Sequence, residues 1–200
     1  MLPVVEIFYS LQGEGRYIGH PSLFVRLAGC NMTCLGLPCD TIRAVDAKNF
    51  ADSWVKYDSA SKLISSICDE INSKTKVAPR HIVITGGEPT IHFTNPIFLE
   101  LAKQLVESGF LITVETNATI WLDFVANPIL SNFIFSMSVK LSNSGEAYDK
   151  RIKQAVIAEY IKVSKESFFK FVLDEKMLRD LLLRELLVKP TTSAIPFWRW

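Results

Sequence analysis

Three cysteines fall inside one short, turn-prone stretch, Cys30-Asn31-Met32-Thr33-Cys34-Leu35-Gly36-Leu37-Pro38-Cys39-Asp40-Thr41, directly after the apolar run Ser22 to Ala28. Thiolates bind soft metals, and a loop presents them more freely than a rigid strand does. Their number matters as much as their spacing. A closed structural zinc site wants four ligands, whereas three thiolates on a four-iron cluster leave one iron open to an exogenous ligand. The fold must therefore deliver a strand into a metal-holding loop.

Composition narrows the setting. Two hundred residues, 48% apolar and 22% charged, suit one domain that buries a core without disulfides. A net charge of +1 gives no global support for a nucleic-acid or anionic-membrane partner. Met1 to Glu6 reaches a charge too early for a secretory leader, so the four cysteines are not read as a disulfide framework. The longest uncharged run, Phe124 to Val139, is broken by Asn127, Pro128 and Asn132 and is not a membrane span. A reducing cytoplasm is the expected location.

Along the chain, strands and helices alternate. Val4 to Phe8 reads as a strand leading into Leu11-Gln12-Gly13-Glu14-Gly15, whose plainest reading is a hairpin loop. Ser22 to Ala28 is a buried strand with an odd Arg26 in its middle, facing solvent or paired with an anion. Ala60, Leu63, Ile64, Ile67, Cys68 and Ile71 mark one face of an amphipathic helix, which puts Cys68 in the core. Ile82 to Ile84 is a strand ending in Thr85-Gly86-Gly87-Glu88-Pro89. Asn95 and Pro96 start a helix that stops at Gly109. Strands follow at Phe110 to Val114 and Phe133 to Met137. A helix is expected over Tyr148 to Lys162, a strand over Phe168 to Leu173 and a helix over Lys176 to Arg184. The alternation argues an α/β fold with a parallel sheet, and its loops at the C-terminal strand ends would share one face. His20, His81 and His92 are assigned to surface or core packing.

Cysteine loop followed by Gly86-Gly87-Glu88-Pro89 resembles the radical S-adenosylmethionine (SAM) enzymes. The resemblance narrows with Glu6 to Gly15, Phe24 to Asn31, Cys39-Asp40-Thr41, Thr85 to Pro89 and Ser138 to Gly145, which look like the 7-carboxy-7-deazaguanine synthase family over residues 4 to 174. That resemblance implies a partial, modified β/α barrel, a 4Fe–4S cluster, SAM and magnesium, and a likeness in reaction: 6-carboxy-5,6,7,8-tetrahydropterin becomes 7-carboxy-7-deazaguanine with loss of ammonia. By matched position it implies Cys30, Cys34 and Cys39 for the cluster and Thr41 for magnesium. For SAM it implies Pro38, Cys39, Asp40, Gly87, Ser138, Val139 and Lys140. For the pterin it implies Leu11, Gln12, Gly13, Arg26 and Thr85, with Arg26 on the substrate carboxylate and Glu14 on the amino-pyrimidine edge. It further implies a homodimer, an electron donor such as a flavodoxin, and a product feeding queuosine and related 7-deazapurines.

Departures from the family are local. The gap between Cys34 and Cys39 holds four residues instead of the common two, and Pro38 stands where an aromatic residue usually packs near adenine. Ser138-Val139-Lys140 replaces a frequent Ser-Pro-Lys. The whole chain is read as one domain with an atypical tail from about residue 186. Leu186 to Pro190 resembles only the start of a last strand, and Thr191 to Trp200 matches nothing in the family. That tail is read either as a barrel cap built on Trp198 and Trp200 or as a truncated or altered reading frame. Two other readings compete: a glycyl-radical activating-type enzyme of the same superfamily, and a non-catalytic protein holding zinc on the three cysteines and a histidine.

Overall fold

A computed structural model describes residues 1–178 of the chain. Strand β1 (Leu2–Leu11) turns back through the Gln12–His20 loop into β2 (Pro21–Leu27), so the chain opens on an antiparallel hairpin. β3 (Val55–Tyr57) pairs antiparallel with the other edge of β1. Beyond β2 every step is parallel: β4 (His81–Gly86), β5 (Leu111–Thr116), β6 (Ile134–Met137) and β7 (Glu166–Phe169). The sheet order is β3-β1-β2-β4-β5-β6-β7. This is the expected α/β class, a mostly parallel sheet extended at one edge by the hairpin and β3.

Alternation along each strand separates two faces. Leu23, Val25, Leu27, Ile82, Ile84, Ile112, Val114, Phe135 and Met137 point to the helix-covered face and join one core. That core is closed by α3 (Ala60–Lys74), α4 (Pro96–Glu107) and α6 (Gln154–Val163) through Leu63, Ile67, Ile71, Phe98, Leu101, Leu105, Val156 and Tyr160. The alternate positions Arg26, Thr85, Thr113 and Glu115 lie on the other, inner face. All six residues of β4 are buried, as expected of a parallel strand covered on both sides.

The helix starts follow their caps. The Ser59 hydroxyl accepts the Lys62 N–H at the start of α3, and the Asn95 side chain accepts the Ile97 N–H at 2.9 Å, with Pro96 in the first turn of α4. Cys68 corrects the sequence reading, because it is exposed. At 100° per residue it lies about a quarter turn from the Leu63–Ile67–Ile71 stripe, which already fills the contact with the sheet.

Two other segments differ from the periodicity. Tyr148 to Lys162 is not one helix but α5 (Tyr148–Arg151) and α6, separated where Ile152 turns extended and packs against the core. There the Arg151 guanidinium donates to the Lys140 carbonyl at 3.1 Å, a tertiary tie absent from any local pattern. β7 ends at Phe169 instead of Leu173, since β6 offers pairing partners only from Ile134 to Met137. Residues 42–59, left without assignment by periodicity, form α1 (Ile42–Val45), α2 (Ala47–Phe50) and β3. The helix expected from Lys176 begins within 175–178, and its remainder, the Leu186 to Pro190 strand and the tail lie outside the described residues. No helix among the described residues is long and apolar enough to cross a membrane.

Candidate active site

Every parallel strand delivers its motif to the same edge of the sheet. β2 runs into the cysteine loop, β4 into Gly87-Glu88, β5 into Asn117 and β6 into Ser138-Val139-Lys140. The contacts between these loops are direct. A Cβ on Gly87 would collide with the Gly29 carbonyl and with Cys30 Cβ, so only glycine lets the β4 loop lie against the first cysteine. The Asn117 amide donates to Asn31 Oδ1 at 2.8 Å, and the Asn31 amide donates to Thr119 Oγ1 at 2.9 Å.

Glu88 is the buried hub of this edge. Its carboxylate accepts from Thr90 N–H (3.1 Å), Thr90 Oγ1 (2.5 Å), Thr116 Oγ1 (2.6 Å) and Asn117 N–H (2.6 Å), while its own N–H donates to the Gly29 carbonyl at 2.8 Å. Burial pushes its pKa up, and the four donors oppose that push. One residue, through its carboxylate and its backbone N–H together, thereby fixes the exits of β2, β4 and β5 relative to one another.

The three thiols are half-buried and free. Burial pushes Cys30 up to about 11, against the Met32 N–H that donates to its sulfur at 3.4 Å; Glu88, Cys34 and Cys39 add to the rise. Cys34 is also raised by burial, with Lys140 pulling the other way. All three sit on the one loop between β2 and α1, four and five residues apart in sequence. Among the described residues, however, no three His, Cys, Asp or Glu side chains converge on a single metal ion. A four-iron cluster does not require such convergence, because each thiolate takes a different iron. Sulfur-only donors on one short, half-buried loop fit that group. Thr41 Oγ1 lies 3.6 Å from Cys39 Sγ, which keeps one hard oxygen beside the loop.

Beneath the loops, the inner face carries polar groups. The Gln12 amide reaches Glu115 Oε1 at 3.4 Å, and Thr85 Oγ1 donates to Glu115 Oε2 at 2.8 Å. The Lys170 ammonium pairs with Glu14. Burial pulls Lys170 down, but Glu115 and Glu14 outweigh it and keep the amine charged. Arg26 Nε donates to Glu6 at 2.7 Å and its guanidinium lies over Phe8. Its two terminal nitrogens meet no hydrogen-bond partner among the described residues, so the forked end is open. Arg26 thus sits on the inner face and not in bulk solvent, with 19% of its side chain exposed.

The structure sorts the expected residues. Gln12, Thr85 and, one strand away, Arg26 share the inner face, and Glu14 joins them through Lys170. Gly13 lies open beside them. Leu11 does not converge, since the residue is 59% exposed at the end of β1. Ser138 and Lys140 meet through a 3.2 Å hydrogen bond, but the Val139 side chain is in the core, leaving only its backbone for a ligand. Pro38 and Asp40 are exposed on the loop. Glu115 and Lys170 were missed; a strand-terminal Glu-Thr-Asn was visible, but nothing marked a lysine after β7 as an inner-face group. The histidines pack as expected: His81 is held between Ser22 Oγ and Thr113 Oγ1, and His92 donates to the Ala28 carbonyl.

A partial β/α barrel whose first parallel strand feeds a three-cysteine loop, with a Gly-Gly-Glu-Pro turn on the next strand, defines a radical SAM enzyme. Comparisons agree. A family profile described as "4Fe-4S single cluster domain" matches residues 11–162. The 7-carboxy-7-deazaguanine synthase of Aquifex aeolicus is 32% identical over 92% of this chain and 71% of its own length. That of Halobacterium salinarum is 37% identical over 72% of this chain and 47% of its own. The crystal structure of QueE from Escherichia coli superposes with a TM-score of 0.62 at 28% identity, covering 96% of this chain and 80% of that one. The chain belongs to the 7-carboxy-7-deazaguanine synthase family, and a 4Fe–4S cluster and SAM are its cofactors. It spans about half to 71% of the length of these curated relatives. The matches give no support to a glycyl-radical activating-type enzyme.

Proposed function

We propose that this chain converts 6-carboxy-5,6,7,8-tetrahydropterin into 7-carboxy-7-deazaguanine with loss of ammonia, a carbon–nitrogen lyase reaction supplying 7-deazapurine and queuosine biosynthesis. The observation that carries the reading is the open guanidinium fork of Arg26 on the same inner face as the Gln12–Glu115–Thr85 chain, below a three-thiol loop. A flat, carboxylated heterocycle needs one bidentate cation and a row of donors and acceptors along its edge, and these side chains are of that kind.

Cys30, Cys34 and Cys39 would hold the cluster, and Pro38, Cys39, Asp40, Gly87, Ser138, Val139 and Lys140 would line the SAM position. When bound, the reduced cluster supplies one electron to SAM and so starts radical chemistry on the substrate. The chain's own work is placement. Arg26 fixes the carboxylate end, Gln12, Gly13 and Thr85 the opposite edge, and Glu115 orients both Gln12 and Thr85 by accepting from each. Leu11 contributes through its backbone or by covering the rim. Thr41 offers a hydroxyl to magnesium, whose remaining positions suit substrate and water oxygens. The Lys170–Glu14 pair covers the inner face and limits water entry.

A homodimer, a flavodoxin-type electron donor and a cytoplasmic setting complete the proposal; neither nucleic acid nor membrane is a direct partner. Anaerobic reconstitution with iron and sulfide, then incubation with SAM and the carboxytetrahydropterin, tests it. Release of 7-carboxy-7-deazaguanine and 5′-deoxyadenosine is expected. A reconstituted four-iron protein that forms neither overturns it.

A further inference from the structure

The longer gap between Cys34 and Cys39 is accommodated by contacts the family motifs do not explain. Cys34 takes a left-handed backbone conformation, φ 46°, which a non-glycine residue rarely adopts unless its surroundings hold it. Those surroundings come from the segment after β6. Glu146 Oε1 accepts the Thr33 N–H at 2.6 Å, the Thr33 hydroxyl at 3.0 Å and the Cys34 N–H at 3.0 Å. Its second oxygen is gripped by Lys150 at 2.7 Å, one helical turn on, so the carboxylate is aimed. Only 7% of the Glu146 side chain is exposed. Next to this clamp the Gly36 N–H donates to the Ser144 carbonyl at 3.0 Å, and a Cβ on Gly36 would run into the Asn143 carbonyl.

We propose that Glu146, aimed by Lys150, is the positioning residue of the cysteine loop: it fixes the backbone at Cys34 and places a carboxylate beside the cluster. The inference rests on the reading of Cys30, Cys34 and Cys39 as cluster ligands. An acceptor for two consecutive backbone N–H groups restrains the chain at the point where the extra residues would otherwise let it drift. A fixed negative charge next to a cluster also opposes its reduction, and the neighbouring ammonium offsets that charge.

The test uses the reconstituted full chain and the variants Glu146→Ala, Glu146→Gln and Lys150→Ala. Iron loss to a chelator should quicken roughly tenfold in Glu146→Ala and by less in Glu146→Gln, whose carbonyl still accepts both N–H groups. The cluster's reduction potential should rise in Glu146→Gln and fall in Lys150→Ala. Wild-type iron retention in Glu146→Ala and Glu146→Gln overturns the proposal. So do unchanged potentials in both charge variants, and if Glu146→Ala does not fold, Glu146→Gln and Lys150→Ala decide. Cys34→Ala separates the two readings: full four-iron content in that variant removes the cluster assignment itself, whatever Glu146 does.

Discussion

Single side chains carry the sharpest consequences. Arg26 was odd in the sequence because a guanidinium in a buried strand needs an anion. The structure gives it half a partner, Glu6 on Nε, and leaves the fork open. Exchanging a two-point contact for a point charge in Arg26→Lys should raise KM for the pterin roughly tenfold or more, with iron content unchanged. Steady-state kinetics on reconstituted protein read this, and an unaltered KM speaks against the carboxylate role. His81 governs a different property. Burial, with a smaller push from His20, lowers its pKa from 6.5 to about 4. As pH falls, the unfolded chain takes up this proton first, so stability present at pH 7 is lost progressively from about pH 6.5 down to about pH 4. The loss amounts to as much as about 3 kcal/mol. Urea unfolding at pH 7 and pH 5 should show a smaller drop in His81→Gln than in the native chain; equal drops would assign the pH dependence elsewhere.

At the scale of elements, helix α3 shows how a correct period can still misplace a residue. The stripe Leu63, Ile67 and Ile71 is buried as expected, while Cys68 at its flank is exposed. Ile67→Ala should cost about 2–5 kcal/mol of unfolding free energy, whereas Cys68→Ser should stay within about 0.5 kcal/mol. Denaturant titrations of the pair decide it, and a large loss in Cys68→Ser would return that thiol to the core. The cysteine loop depends on its docking against residues 142–146. Gly36→Ala would press a methyl group into the Asn143 carbonyl, so the loop should shift and iron content fall while the circular dichroism of the sheet is retained. Full iron occupancy in Gly36→Ala would show that the docking is dispensable.

For the molecule as a whole, the hairpin loop between β1 and β2 ties the two ends of the parallel sheet together. Tyr17 donates to Glu166 at 3.0 Å, Arg16 pairs with the same carboxylate at 2.6 Å, and Lys170 pairs with Glu14. The Phe168 ring lies directly against Gly15. Each exposed pair contributes little by itself, but together they hold Gln12 in the interior. Glu166→Ala should therefore raise KM more than it lowers kcat, because it loosens placement without removing a reacting group. A fall in kcat alone would argue against this reading of the loop.

Much of this protein is legible in the sequence. The strand-forming runs, the cap at Asn95, the three thiols and the glycine pair after β4 are local facts, each fixed by a residue's own chemistry. So was the side of the sheet on which the motifs gather, because parallel strands can only deliver their following loops to one edge. Tertiary structure decided the rest. It broke the expected helix at Ile152, exposed Cys68 and ended β7 where β6 ran out, whereas the hairpin loop after β1 is already the plainest reading of Leu11 to Gly15. It also recruited Glu115, Lys170 and Glu146 through cross-fold contacts, to Thr85, Glu14 and Thr33, that span 30 to 156 residues of sequence. Periodicity reports which face of an element is apolar. A hydrogen bond between distant strands depends on register, and register exists only once the sheet has formed.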